Sequence, residues 1–190
     1  DLEFRRDIWI MCSKDVAFFA ATFCWAHETR EDAFTTEAGK YPFNPWCDQI
    51  DILAWLQMYG GTNDVSVEKT RGIGLSWVAM MYLIWKWLFS KGGMLEFGVL
   101  SKDDNSLDSV GRPSTLMGKL DILFANLPAW MRVDSNGKPI LKRTSSQSHK
   151  FENLMNGNAV LGFTASDDKL RSARLNIIII DEAAYLPVDV

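Results

Sequence analysis

Between Leu75 and Phe89 apolar residues cover nearly every face of a helical period: Leu75, Trp77, Val78, Met80, Met81, Leu83, Ile84, Trp85 and Trp87, with Lys86 as the interruption. An all-round apolar helix of this kind is a buried one. Its tryptophans therefore read as core and not as a base-stacking platform. The run is shorter than the ~20 residues a membrane span requires. Ile177-Ile178-Ile179-Ile180 is unbroken aliphatic, the pattern of a parallel strand buried on both faces. Shorter β-type runs lie at Val65–Val67, Met94–Leu100 and Val160–Phe163. Apolar Ile52, Leu53, Trp55 and Leu56 predict a helix from about Asp48 to Tyr59, and Pro113 opens another running to about Asn126. Pro42 and Pro45 keep the segment before the first of these extended, and Gly60-Gly61-Thr62-Asn63-Asp64 ends it. The stretch Met131 to Lys150, with its Asp134-Ser135-Asn136-Gly137 turn, predicts a hairpin excursion. The first forty residues, aromatic at Phe18, Phe19, Phe23 and Trp25 and acidic at Glu28, Glu31, Asp32 and Glu37, predict a helical lead-in and a polar loop. The order β-α-β-α predicts an α/β fold with a mostly parallel central sheet flanked by helices. Ligands of such sheets bind at the carboxyl ends of the strands.

Composition narrows this picture in three ways. The chain has 190 residues, enough for one domain with a sizeable core. Twenty Lys and Arg against 24 Asp and Glu give a net charge of −4, which excludes coating nucleic acid by bulk charge and leaves only local basic patches for a polyanion. Cys12, Cys24 and Cys47 form no C-x-x-C pair and sit among apolar residues, so they read as reduced core thiols of an intracellular protein. Asp1 stands where an initiator Met would be, with no signal-peptide layout, and the numbering is read as beginning inside a longer chain.

Two segments carry chemistry. The loop Lys69-Thr70-Arg71-Gly72-Ile73-Gly74-Leu75-Ser76 comes after a predicted strand and opens the apolar helix. Backbone N–H groups in that context cradle phosphates. Against the pattern G-x-x-x-x-G-K-[ST], Gly74 and Ser76 match, but Leu75 holds the lysine position, so the loop alone is a failed Walker A and reads more readily as a plain glycine turn. The second segment is the apolar strand ending in Asp181-Glu182. In a P-loop nucleoside triphosphatase, an Asp at this place holds Mg²⁺ together with the loop Ser or Thr, and the next Glu polarises the attacking water. The competing account is an acidic cap on the next segment. Loop and carboxylates in this order favour nucleotide hydrolysis.

The run Lys69-Thr70-Arg71-Gly72-Ile73-Gly74-Leu75-Ser76-Trp77 resembles the variant Walker A of viral large terminase subunits, in which the lysine moves to the front of the loop. Asp181-Glu182-Ala183-Ala184-Tyr185 resembles that family's Walker B, and Leu170-Arg171-Ser172-Ala173 its arginine-bearing segment. The resemblance spans about Pro42 to Pro187. It implies a P-loop ATPase of the ASCE type over residues 41–190 behind a lead-in of residues 1–40. It also implies ATP and Mg²⁺ as ligands, double-stranded DNA as cargo, and portal protein, small terminase subunit and a homo-oligomeric ring as partners. The setting is the host cytoplasm, with no membrane. By the same resemblance Lys69 is the relocated phosphate-binding lysine and Arg71 a second cation at the phosphates. Ser76 and Asp181 become Mg²⁺ ligands, Glu182 the catalytic carboxylate, Gln49 the adenine-reading amide and Arg171 a finger toward a neighbouring subunit. Thr70, Gly72, Ile73, Gly74, Leu75 and Trp77 complete the nucleotide loop.

Each assignment has a plainer competitor. Lys69 fits a solvated lysine, Gln49 a helix-surface residue, and Arg171 a surface pair with Asp167 or Asp168, while Arg174 and Arg112 compete for the finger. Lys138, Lys142, Arg143 and Lys150, with His149 among them, form a stretch free of acids that suits DNA phosphates or a neighbouring subunit, and a solvated hairpin at least as well. Two other functions remain in play. One is a helicase-like translocase, which normally keeps lysine at the position of Leu75, and the other is a nucleotide-binding assembly module without hydrolysis. The family's coupling motif and nuclease domain lie beyond Walker B, so the chain ending at Val190 is read as an excerpt of a longer ATPase.

Overall fold

The computed structural model describes residues 1–27, 39–68, 72–145, 149–165 and 167–183. Two helices open the chain, α1 (Leu2–Lys14) and α2 (Val16–Phe23). Asp1 and Asp15 start them by accepting from the N–H groups of Glu3 and Phe18. Strand β1 (Trp25–His27) then pairs antiparallel with β2 (Lys40–Pro42), Trp25 facing Pro42. This ribbon joins the lead-in to helix α3 (Cys47–Tyr59). A second tie to α3 runs from the α1–α2 joint through Gln57, whose amide accepts from the Val16 N–H at 2.8 Å and donates to the Lys14 carbonyl at 2.8 Å.

Helix α4 (Leu75–Phe89) is the centre of the molecule, as its apolar surface demands. Trp87 and Met80 are fully buried, and α2, α3 and α6 (Leu116–Asn126) pack around it. Indole N–H groups fix it in place: Trp85 donates to the Cys12 carbonyl at 2.7 Å and Trp87 to the Phe151 carbonyl at 3.0 Å. Its last carbonyls, which lack helical partners, accept from asparagine amides, with Asn153 and Asn156 reaching Trp87 O and Asn158 reaching Ser90 O. Cys12 through Ala26 join the same apolar cluster as α4 and α6, so the lead-in shares the core.

The sheet contains β3 (Glu96–Ser101), β4 (Leu141–Thr144), β5 (Lys150–Asn153), β6 (Ala159–Thr164) and β7 (Ile177–Ile180), in the order β4-β5-β6-β3-β7. It is mixed, which corrects the mostly parallel sheet expected. Strand β3 runs parallel to β6 and β7, while β4-β5 and β5-β6 are antiparallel. The hairpin excursion is the cause. Its Asp134–Gly137 turn makes only the single bridge Val133↔Pro139, and the chain then adds β4 and β5 to the edge of β6. Two short helices, α5 (Asp104–Leu107) and α7 (Lys169–Ser172), fill the crossovers around β3 and β7.

Three further expectations need correction. Val65–Val67 forms no strand: its burial alternates as in one, but it finds no ladder partner among the described residues. Among the described residues the isoleucine run is an edge strand with one covered face, since Ile177 and Ile179 pack on the core while Ile178 and Ile180 are 39% and 45% exposed. Cys12 and Cys24 are buried free thiols, but Cys47, at the start of α3, is exposed. Burial raises the Cys12 thiol to about 11 and pushes that of Cys24 upward as well. Among the described residues no helix is long and apolar enough to cross a membrane.

Candidate functional site

Strand β7 and helix α4 bring together two residues 105 positions apart in sequence: the Ser76 hydroxyl donates to Asp181 Oδ2 at 2.8 Å. Each side is held from its own element. Ser76 lies in the first turn of α4, which is fixed by its buried tryptophans. Asp181 comes directly after the last residue of β7, and its N–H donates to the Leu100 carbonyl of β3 at 3.2 Å, extending the ladder by one step. Both side chains are half-buried.

The turn before α4 is made by glycines that only glycine fits easily. Gly72 has φ +89° and Gly74 φ +73°, the left-handed region where a Cβ is strained. Gly74 is the N-cap of α4 and has no side chain with which to cap it. The positive end of the helix dipole therefore opens beside Ser76 without a local side-chain cap from that position. Gln49 buttresses this turn from α3. Its Nε2 donates to the Ile73 carbonyl at 2.8 Å and its Oε1 accepts from the Trp46 N–H at 3.0 Å. A Cβ on Gly74 would stand 3.4 Å from that same Nε2. Gln49 is buried, with both ends of its amide holding backbone, so its observed work is support of the loop.

The remaining residues singled out from sequence divide clearly. Lys69, Thr70 and Arg71 lie outside the described residues, as do Ala184 and Tyr185. Gly72, Ile73, Gly74, Leu75 and Ser76 form the turn and helix start, and Trp77 points into the core at 8% exposure. Glu182 is exposed, with φ +54°. Arg171, on α7, is exposed, and among the described residues no carboxylate pairs with it. Its expected competitor Asp167 accepts instead from the Thr164 N–H at 3.0 Å. Arg112 and Arg174 are also exposed.

The basic stretch changes character in three dimensions. Arg143 turns inward, donating to Asp121 Oδ1 at 2.9 Å and to Asp108 Oδ1, whose side chain is only 1% exposed. His149 Nδ1 lies 2.8 Å from the other oxygen of Asp108. Lys142 and Lys150 both pair with Glu152, at 3.7 and 3.0 Å. Burial lifts the Asp121 carboxyl above its ordinary range even with Arg143 attached. Arg143 holds its proton more tightly than usual, because the hydrogen bonds to Asp121 and Asp108 outweigh the cost of burial. Arg143 and His149 are thus internal partners, while Lys138 and Lys142 stay exposed, Lys142 with Glu152 at hand.

A residue that sequence reasoning passed over stands beside the candidate carboxylates. Lys102, just beyond β3, has its ammonium 3.6 Å from Glu182 Oε2. The only linear signal for it is position: a lysine directly after a buried parallel strand lies at the sheet's carboxyl end.

Among the described residues no group of three or more His, Cys, Asp and Glu gathers as a metal cage. The Ser76 and Asp181 oxygens suit a hard cation that keeps waters and takes its other ligands from phosphate, the habit of Mg²⁺. No protein-family model matches the chain, and no curated protein matches it in sequence.

Proposed function

We propose that the chain is the ATP-hydrolysing motor portion of a viral DNA-packaging terminase, coupling Mg²⁺-dependent hydrolysis to movement of double-stranded DNA. The observation that carries this is the 2.8 Å hydrogen bond from Ser76 to Asp181. It joins the two segments whose order in sequence first suggested a phosphate site, at the carboxyl end of the sheet where such a site belongs.

Each residue has a role in this reading. The glycine turn and the first N–H groups of α4 receive the phosphate chain. Ser76 and Asp181 would hold Mg²⁺ by their oxygens. Held there, Mg²⁺ would supply positive charge to offset the negative charge that develops on the phosphates. Glu182 orients the attacking water and accepts its proton. Gln49 keeps the turn in register with α3. Lys69 and Arg71 bring cations to the phosphates from the front of the loop, and Arg171, exposed on α7, reaches a neighbouring subunit in a ring. Portal protein and the small terminase subunit are the further partners of such a motor, in the host cytoplasm.

Phosphate release by the full chain, with and without double-stranded DNA, tests this. The expected outcome is Mg²⁺-dependent release that DNA stimulates and that Lys69→Ala abolishes. Nucleotide binding without release would leave an assembly module, and near-normal release by Lys69→Ala would refute the relocated lysine.

A further inference from the structure

Strands β3 and β6 are parallel neighbours whose connections part to opposite faces of the sheet. Phe97 and Val99 face the core shared with α4 and α6, and the chain after β3 builds α6 on that side. Alternation turns Gly98 to the other face. A Cβ there would meet Leu175 Cδ1 at 2.5 Å, so the crossover from β6 through α7 to β7 passes over that outer face. Strands that part in this way leave a crevice at their carboxyl ends, a place where open α/β sheets bind ligands. A cavity of about 500 Å³ opens there, on the other side of β3 from Asp181.

The cavity is lined by acceptors. His149 Nδ1 lies 2.8 Å from Oδ2 of the buried Asp108, whose other oxygen accepts from Arg143, so Nδ1 carries the ring proton. In the neutral ring Nε2 is then an acceptor on the cavity side, 3.9 Å from Asp104 Oδ1. The ring is held in this pose. His149 has φ +39°, and a Cβ on Gly162 would stand 2.9 Å from its Cβ, so glycine makes its room. Asp104, Asp167 and Glu96 add carboxylates against one cation, Lys169, among the described residues of the lining. Asp167 commits Oδ2 to the Thr164 N–H at 3.0 Å. Leu161 and Phe163 supply apolar wall.

We propose that this cavity binds a guanidinium group, the head of an arginine side chain. Guanidinium presents five donors in a plane, which suits carboxylates and an imidazole acceptor together, and its apolar stem suits the wall. An ammonium is a compact, strongly hydrated point charge and uses the same acceptors less well. A metal ion fits poorly, because no three His, Cys, Asp or Glu gather as a cage among the described residues. The site is independent of nucleotide hydrolysis.

The test is a titration of the full chain with ethylguanidinium at about 0.15 M salt, followed by backbone amide NMR. The amides of Gly162, Thr164 and Asp167 should shift and saturate with a Kd of about 1 mM. Asp104 is 80% exposed, so Asp104→Asn leaves the fold intact and should weaken binding about two- to fivefold. The double variant Asp104→Asn, Asp167→Asn should weaken it about tenfold or more, and ethylammonium should bind at least about threefold more weakly than ethylguanidinium. No saturable shift up to about 50 mM overturns the site. Shifts that survive the double variant, or equal affinity for ethylammonium, also overturn it. Sedimentation of the chain at rising concentration distinguishes the sources of the arginine. Self-association that ethylguanidinium reverses assigns it to a second copy, and a chain that binds ethylguanidinium yet stays monomeric assigns it to another protein.

Discussion

Two clusters of charge, toward opposite edges of the sheet, differ in kind. At the hairpin, Arg143 lies between Asp108 and Asp121 with His149 on the far oxygen of Asp108, so the arginine has a carboxylate on each side. At the carboxyl end of β7, Ser76 and Asp181 make one hydrogen bond, α4 begins without a capping side chain, and Glu182 and Lys102 are half exposed. Around Arg143 the first cluster is saturated and buried; the second retains capacity for a ligand. The arginine and histidine of the stretch that looked most ready for a polyanion by composition are thus occupied internally, while the charges beside Ser76 and Asp181 stay half exposed. Charge density in sequence is a poor guide to binding. What decides is how deeply the pairs those charges form are buried.

Breaking the saturated cluster should be the largest stability effect in the molecule. Arg143→Met leaves the Asp108 carboxylate buried without its cation, and removing one member of a buried pair costs about 3–5 kcal/mol. Urea unfolding should show that loss. A cost within about 1 kcal/mol would mean that the hairpin cluster is as loosely held as an exposed pair.

Acid should separate the carboxylates more gently. Asp103 is held below its usual range by the Ser106 N–H at the start of α5, Asp134 by the Lys138 N–H, and Glu152 by the ammonium of Lys150. A folded-state value below the unfolded one contributes stability that is complete above the unfolded value and is lost as pH falls through the folded one. Asp121 has the opposite sign, because burial raises it and its protonation relieves a cost. The unfolding midpoint in urea should therefore hold between about pH 7 and pH 5 and decline below about pH 4. Asp134→Asn should make that decline shallower, and an unchanged slope would remove Asp134 from the account.

How much the sequence could reveal depends on how far each signal reaches along the chain. Helix α4, the glycine turn and the carboxylates after four isoleucines are local patterns, so their positions could be read directly. The meeting of Ser76 with Asp181 could be expected only through a pattern that pairs such segments, because 105 residues separate them. The partners of Arg143 carry no such pattern: Asp121 and Asp108 stand 22 and 35 residues away, on other elements. Lys102 meets Glu182 through strand register, which depends on β3 and β7 being neighbours. The mixed sheet was hidden for a similar reason, since a turn at Asp134–Gly137 announces a reversal without saying which strand edge the chain will join. Val65–Val67 shows the converse, a strand pattern that finds no ladder among the described residues.

The central claim concerns the open cluster, and titration of Mg²⁺-ATP into the folded full chain, beside Ser76→Ala and Asp181→Ala, tests it most directly. Both residues are only half-buried, so the variants should stay folded, with stability changed by about 1 kcal/mol or less. The account predicts that the wild-type chain binds Mg²⁺-ATP, that each variant weakens binding at least tenfold, and that without Mg²⁺ the difference between wild type and variants largely disappears. Equal binding by all three proteins in the presence of Mg²⁺, or none by the wild type, would contradict it.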